Sequence, residues 1–293
     1  MKKSDTFQPK QVTILHNRNC VYCGKTLGAS GFNDEHVIGR KFVPKGSLNQ
    51  NWNLILNACI KCNNAKSKLE DDISAISMHP DVFGRSASEQ CLVNSARKSV
   101  KSVSRRTGKK VAESEERWNV EIPFSDVGSF TFGFVAPPQI DDHRAFELAR
   151  MHIQAFFFLL TFDESKKIGH FWPGIFLSLN IARHADWGNE LQIAFMQEIE
   201  NWNSRINAQT ANDHFKVNIR KHPDFLCWSW SLEWNQSLRL IGLFGDDNMV
   251  NIIANTLPFL DMAVLTQSNN LPTRYRQDVP LKDEYDTLFI FKE

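Results

Sequence analysis

The sequence predicts an α+β protein built in two parts, and three observations predict it. Two Cys-x-x-Cys pairs, "CVYC" at 20–23 and "CIKC" at 59–62, lie close together near the amino terminus. The charge divides unevenly. Residues 1–117 carry 20 Lys+Arg against 11 Asp+Glu (net +9) and residues 118–293 carry 14 against 22 (net −8), together the +1 of the whole chain. The second part alternates aromatic and polar residues in strand-like runs and holds seven of the eight tryptophans. A chain of 293 residues is long for one compact core. The expected division is a small module at 1–83, a basic linker or arm at 84–117, and a separate α+β domain at 118–293 with an antiparallel sheet and helices.

Composition excludes some classes. At 42% hydrophobic and 23% charged residues the chain is neither disordered nor membrane-bound in type. "MKKSDTFQPKQVT" has no apolar run behind its lysines, which argues against a signal peptide. "MHIQAFFFLLTF" is about half the roughly 20 residues of a spanning helix and contains His152 and Gln154. No membrane insertion and a cytoplasmic location are expected. The basic first part is expected to meet a polyanion.

In such a compartment paired cysteines are thiolate ligands rather than disulfides. Cys20, Cys23, Cys59 and Cys62 supply the four soft ligands that structural Zn²⁺ takes in a tetrahedron. Cys91 and Cys227 read as small buried hydrophobes. Between the pairs, "FVPKG" reads as a loop and "LNQNWNLIL" as a short strand. After Cys62, Ala65, Leu69, Ile73 and Ile76 mark one face of a helix.

"NDEHVIG" places Asp34, Glu35 and His36 between the two knuckles, and "CNNAK" places Asn63 and Lys66 at the opening of the helix. A hard cation such as Mg²⁺ takes carboxylate and amide oxygens. A histidine of near-neutral pKa takes a proton from water. If the knuckles fold the "DEH" strand over the helix start, Glu35, His36 and Asn63 converge on a site suited to phosphodiester hydrolysis.

Taken in order, "CVYC", "DEHVI", "NLILNAC" and "CNNAK" resemble the HNH endonucleases, in their version braced by two zinc knuckles. The resemblance covers about residues 18–75. It implies a ββα-metal, treble-clef-like nuclease domain that cuts DNA with the help of Mg²⁺ or another divalent cation. It makes His36 the general base, Glu35 a ligand of the catalytic metal with Asp34 as a second candidate, and Asn63 the other ligand. It makes Lys66 a phosphate contact, and Asn53, or else Asn57, the residue that orients the base through its ring. Family members commonly carry proline where this chain has Gly39, which implies a looser loop after the base. One base and one metal nick a single strand, and family members with extra domains often serve bacterial defence against foreign DNA. The alternative is a zinc-braced nucleic-acid-binding protein without catalysis, with the C-terminal domain as an interaction module for a protein partner.

The remaining segments read as structure. The Ser-, Arg- and Lys-rich stretch 84–117 is a linker, or an arm with partial helix that tracks a phosphate backbone. "GSFTFGFVA" reads as a strand, and "HRAFELARMHIQAFFFLLTF" as a buried helix preceded by a capping Asp141–Asp142 pair. Leu191, Phe195, Ile199, Trp202 and Ile206 mark a second helix. "FKVNIR", "FLCWSWSLEW" and "LRLIGLFG" form an antiparallel meander with a turn near Asn235–Ser237. Trp228, Trp230 and Trp234 then make a packed sheet face rather than a base-stacking platform. His152 and His170 read as core histidines, and Glu70, Asp71 and Asp72 as a solvated helix face. The charge split also raises the expectation that the acidic domain docks on the basic face and restrains it.

Overall fold

The computed structural model describes residues 6–291 apart from 29, 82, 83, 85, 126, 127, 269 and 270. Three strands open the fold: β1 (Thr13–Ile14), β2 (Phe32–His36) and β3 (Leu54–Cys59), in the sheet order β1-β3-β2. β3 runs parallel to β1 and antiparallel to β2, which sets Asp34, Glu35 and His36 opposite Asn57, Leu56 and Ile55. Along β3 the side chains of Leu54, Leu56 and Ala58 are buried and the intervening ones half-buried, the period of two that one covered face imposes. Helix α1 (Ile60–Ser77) follows at once, with Cys59 at its N-cap. Leu69, Ile73 and Ile76 lie on its buried face as the spacing predicts, but Ala65 is exposed and Lys66 is buried instead.

The segment read as a linker carries α2 (Glu89–Ser99), whose cap Ser88 accepts a hydrogen bond from the Cys91 N–H at 3.1 Å. Its buried face consists of Cys91, Ser95 and Ser99, four residues apart. Such small side chains leave no hydrophobic signal in the sequence, which is why the helix is hard to read there. Polar ties fix the segment to α1: Ser102 Oγ donates to Asp71 Oδ1 at 3.1 Å, and the Arg105 N–H donates to Asp72 Oδ2 at 3.1 Å.

Strands β4 (Glu116–Ser125) and β5 (Gly128–Ala136) form a hairpin. Helix α3 (Asp142–Leu160) is capped by Asp141, which accepts from the Arg144 N–H, and is buried at most positions from Leu148 to Phe158. β6 (Ile175–Arg183) and α4 (Glu190–Glu198) follow. α4 is shorter than its apolar stripe predicts. Trp202 lies beyond it and Ile206 on β7 (Asn203–Thr210), because the Asn- and Ser-rich "NWNS" favours a turn over helix. β8 (Phe215–Lys221), β9 (Cys227–Trp234) and β10 (Leu238–Gly245) complete a five-stranded antiparallel sheet in the order β6-β10-β9-β8-β7. Asn235 and Gln236 turn the chain between β9 and β10 with φ of 53° and 56°. Helix α5 (Asp247–Ala254) and the hairpin β11 (Ala263–Ser268) and β12 (Leu271–Tyr275) come last. Among the described residues no helix is long and apolar enough to cross a membrane.

Every residue of β9 and β10 is buried, so the large sheet is covered on both faces. One face packs Phe195, Ile241, Leu243 and Val250 beneath α4 and α5. The other holds Trp228, Trp230 and Trp234, at 9%, 0% and 0% exposure, which makes the tryptophan stripe core. That second cluster also takes in Leu15, Phe42, Leu56 and Ile73 from the N-terminal part. Phe42 meets Trp234 edge-on at 5.3 Å, and Trp52 Nε1 donates to the Gln209 carbonyl at 2.6 Å. Asn235 Nδ2 donates to the Phe42 carbonyl at 3.2 Å and to Ser77 Oγ at 2.8 Å. The C-terminal part is therefore not separate: one core crosses the boundary expected at 117, while that expected at 83 lies outside the described residues.

Candidate metal centre and the adjoining cleft

Cys20 and Cys23 lie in the turn after β1, Cys59 ends β3, and Cys62 lies in the first turn of α1. Their four Sγ atoms all lie within 4.8 Å of one another, with Cys23 and Cys59 at 3.9 Å. A tetrahedral ion with Zn–S bonds of about 2.3 Å requires sulfur separations of about 3.8 Å, so the cluster could hold a metal ion such as zinc. Four protein ligands leave no open position, which suits a structural ion. Burial raises the Cys20 and Cys62 thiols. Burial also acts upward on Cys59, but the Cys62 backbone N–H and neighbouring thiols hold it below its ordinary value.

Next to the cluster, β2 turns Glu35 inward against α1, where it is 3% exposed. Tyr22 donates its hydroxyl to Glu35 Oε1 at 3.0 Å, and Lys66 Nζ lies 2.8 Å from the same oxygen. Lys66 is 1% exposed; it also pairs with Glu70 Oε1 at 2.6 Å and donates to the His36 carbonyl at 3.3 Å. Glu70 in turn accepts from the Gly39 N–H at 3.3 Å, and His152 Nε2 lies 3.9 Å away from it. Burial acts to lower Lys66, yet the two carboxylates hold it above its ordinary value, so it stays charged. Burial acts upward on Glu70, but Lys66 and His152 beside it bring it down to about 2. Glu35 is raised by its burial, against the pull of Lys66, and burial lowers His152 to about 4, leaving that imidazole neutral.

His36 is half-buried at the end of β2. Burial, then the positive charges of Arg40 and Lys66, lower its pKa against the opposing pull of Asp34 and Glu70. The imidazole is thus neutral near pH 7 and able to accept a proton. It opens into a cleft of about 940 Å³ that is also lined by Asp34, Glu35 and Asn63. Four of the residues singled out in the sequence, two of them on strand positions of opposite facing, therefore reach one space.

Three others stand elsewhere. Lys66 does not line the cleft: its position on α1 faces β2, and it serves as a buried counter-ion rather than a phosphate contact. Asn53 bonds backbone rather than the His36 ring. Its Oδ1 accepts from the Ile38 and Leu54 N–H groups, and its Nδ2 donates to the Ile38 carbonyl, which closes the loop after His36. Asn57 donates to the Asn17 carbonyl at 2.9 Å and so braces the knuckle turn. Nor is the loop at Gly39 loose. A Cβ built there meets Glu70 Oε2 at 2.4 Å, and proline would remove the N–H that Glu70 accepts.

Of the three acidic residues read as a solvated face only Asp71 is exposed; Glu70 is half-buried, and Asp72 is buried and pairs with Arg144 at 2.6 Å. His152 is a core histidine, whereas His170 is exposed. Among the described residues the cleft is lined only from Asp34 to Arg105, so the acidic part does not cover it. Sequence reasoning missed Tyr22 and the role of Glu70. The i,i+4 spacing of Lys66 and Glu70 was the one available signal. Comparison with protein-family models, curated proteins and solved structures finds no match.

Proposed function

We propose that this protein is a metal-dependent DNA endonuclease that nicks one strand per active site. The observation that carries the reading is a half-buried His36 sharing one cleft with Asp34, Glu35 and Asn63, and with several lysines and arginines. In this reading His36 takes the proton from the attacking water. Lys66 and Glu70 hold the His36 carbonyl and the Gly39 N–H, and so fix the turn that presents the imidazole. Asp34, Glu35 and Asn63 offer the oxygen donors a divalent cation such as Mg²⁺ takes. Such an ion, when bound, supplies charge stabilisation at a phosphoryl group. Both contacts to Glu35 fall on Oε1, so Oε2 is the oxygen it would offer. Defence against foreign DNA is the biological setting we favour, by analogy with multidomain nucleases alone.

A second reading, nucleic-acid binding without catalysis, is favoured by one specific feature: Glu35 is already engaged by Tyr22 and Lys66. Incubating supercoiled plasmid with Mg²⁺ decides between them. The wild-type chain is expected to produce open circles, and His36→Ala to do so at least 100-fold more slowly, the typical worth of a general base. Equal survival of supercoils with both proteins, alongside retained DNA binding, would leave the second reading.

A further inference from the structure

The cleft has two chemically different walls. One carries Asp34, Glu35 and His36. The other is built from α2 and the turn beyond it, a segment outside the zinc-knuckle motif, and presents Arg97, Lys101 and Arg105 four residues apart. All three are exposed, and among the described residues none of their side chains has an ion-pair partner. Three arginines off the cleft are paired instead: Arg106 with Glu116, Arg144 with Asp72, and Arg276 with Asp186. Three unpaired cations lining one cleft cost stability through mutual repulsion, and a ligand of opposite charge relieves it. The segment is also fixed in place, because Ser102 and the Arg105 N–H bond Asp71 and Asp72 of α1.

The lining says which polyanion fits. Among the described residues it contains no Phe, Tyr or Trp, and only Gly39 and Val43 are apolar. Single strands are held by stacking their bases on aromatic side chains, and the described lining offers no such platform. A duplex keeps its bases stacked inside and presents only phosphates, which lysine and arginine recognise without reading sequence. We infer that Arg97, Lys101 and Arg105 form a phosphate-tracking wall for the backbone of double-stranded nucleic acid, sequence-independent in its binding. This deepens the nuclease reading and rests on it for the identity of the site, but it requires no cleavage.

The test is therefore binding in the absence of added divalent cation, using the full chain with its zinc and carrying His36→Ala. Fluorescence anisotropy would follow a labelled duplex, a second duplex of scrambled sequence, and the corresponding single strand across a salt series. The combined substitution Arg97→Ser, Lys101→Ser and Arg105→Ser should weaken duplex binding at least tenfold and reduce the slope of log K against log salt by about 2 to 3. A charge-matched control, Lys10→Ser, Lys109→Ser and Lys166→Ser, removes three exposed cations that do not line the cleft and should leave the slope in place. Both duplexes should bind alike, and more tightly than the single strand. The inference is overturned if the two triple variants weaken binding equally, if the wall variant binds as the parent does, or if the single strand binds more tightly. Failure of cleavage by the wild-type chain, with the wall result intact, would sink the catalytic reading alone.

Discussion

Replacing Lys66 with methionine separates two roles for the lysine at the start of α1. Methionine keeps the unbranched stem and removes the ammonium. In the structure Lys66 is 1% exposed, and its ammonium lies 2.8 Å from Glu35 and 2.6 Å from Glu70. Without it, two buried carboxylates face each other across an apolar gap, and the His36 carbonyl loses its donor. Removing one partner of a buried pair costs about 3–5 kcal/mol, most of it the uncompensated charge left behind. Against a total stability of about 5–15 kcal/mol this is a large fraction. Urea unfolding followed by tryptophan fluorescence reads it directly, because Trp230 and Trp234 lie in the shared core. Adding Glu35→Gln to Lys66→Met removes one of the stranded charges and should restore part of the loss. A solvent-facing phosphate contact predicts the opposite pattern: stability unchanged within about 0.5 kcal/mol and weaker DNA binding. A loss below about 1 kcal/mol, or no recovery in the double variant, would refute the clasp.

Further outcomes follow from the same geometry. His152 has a folded pKa near 4 against an ordinary 6.5, so in that window the unfolded chain binds a proton that the folded chain refuses. Stability should therefore fall by about 2 kcal/mol as the pH drops from 7.5 to 5, and His152→Phe, which suits the ring contacts to Phe215 and Trp234, should flatten that part of the profile in thermal melts at several pH values. The four-cysteine cluster predicts one zinc per chain by elemental analysis. Cys62→Ser should lose it together with several kcal/mol of stability, as structural sites do.

Much of the N-terminal chemistry was legible because it is local. Cys-x-x-Cys spacing specifies a two-ligand turn, and the order of strand, knuckle and helix followed from which residues lie next to one another along the chain. The meander was equally legible from its period of two, and the tryptophan stripe is core as that pattern implies. What failed depended on partners distant in sequence. Lys66 reads as a surface cation because nothing local shows that Glu35 and Glu70 enclose it. Asn53 reads as a ring partner until the loop it closes is seen. α2 was hidden because its buried face is made of serine and cysteine, and Cys91 is buried against His214 and Asn235, residues far along the chain.

By itself the sequence determined the α+β class, the four thiolates, and the grouping of Asp34, Glu35, His36 and Asn63, since each follows from spacing and side-chain chemistry. Only the tertiary structure decided that the two parts share one core, that Lys66 is a counter-ion, and that Arg97, Lys101 and Arg105 line the same cleft as His36 with no ion-pair partner among the described residues. Burial and charge pairing are properties of neighbours in space, and the chain sets those neighbours only once it has folded.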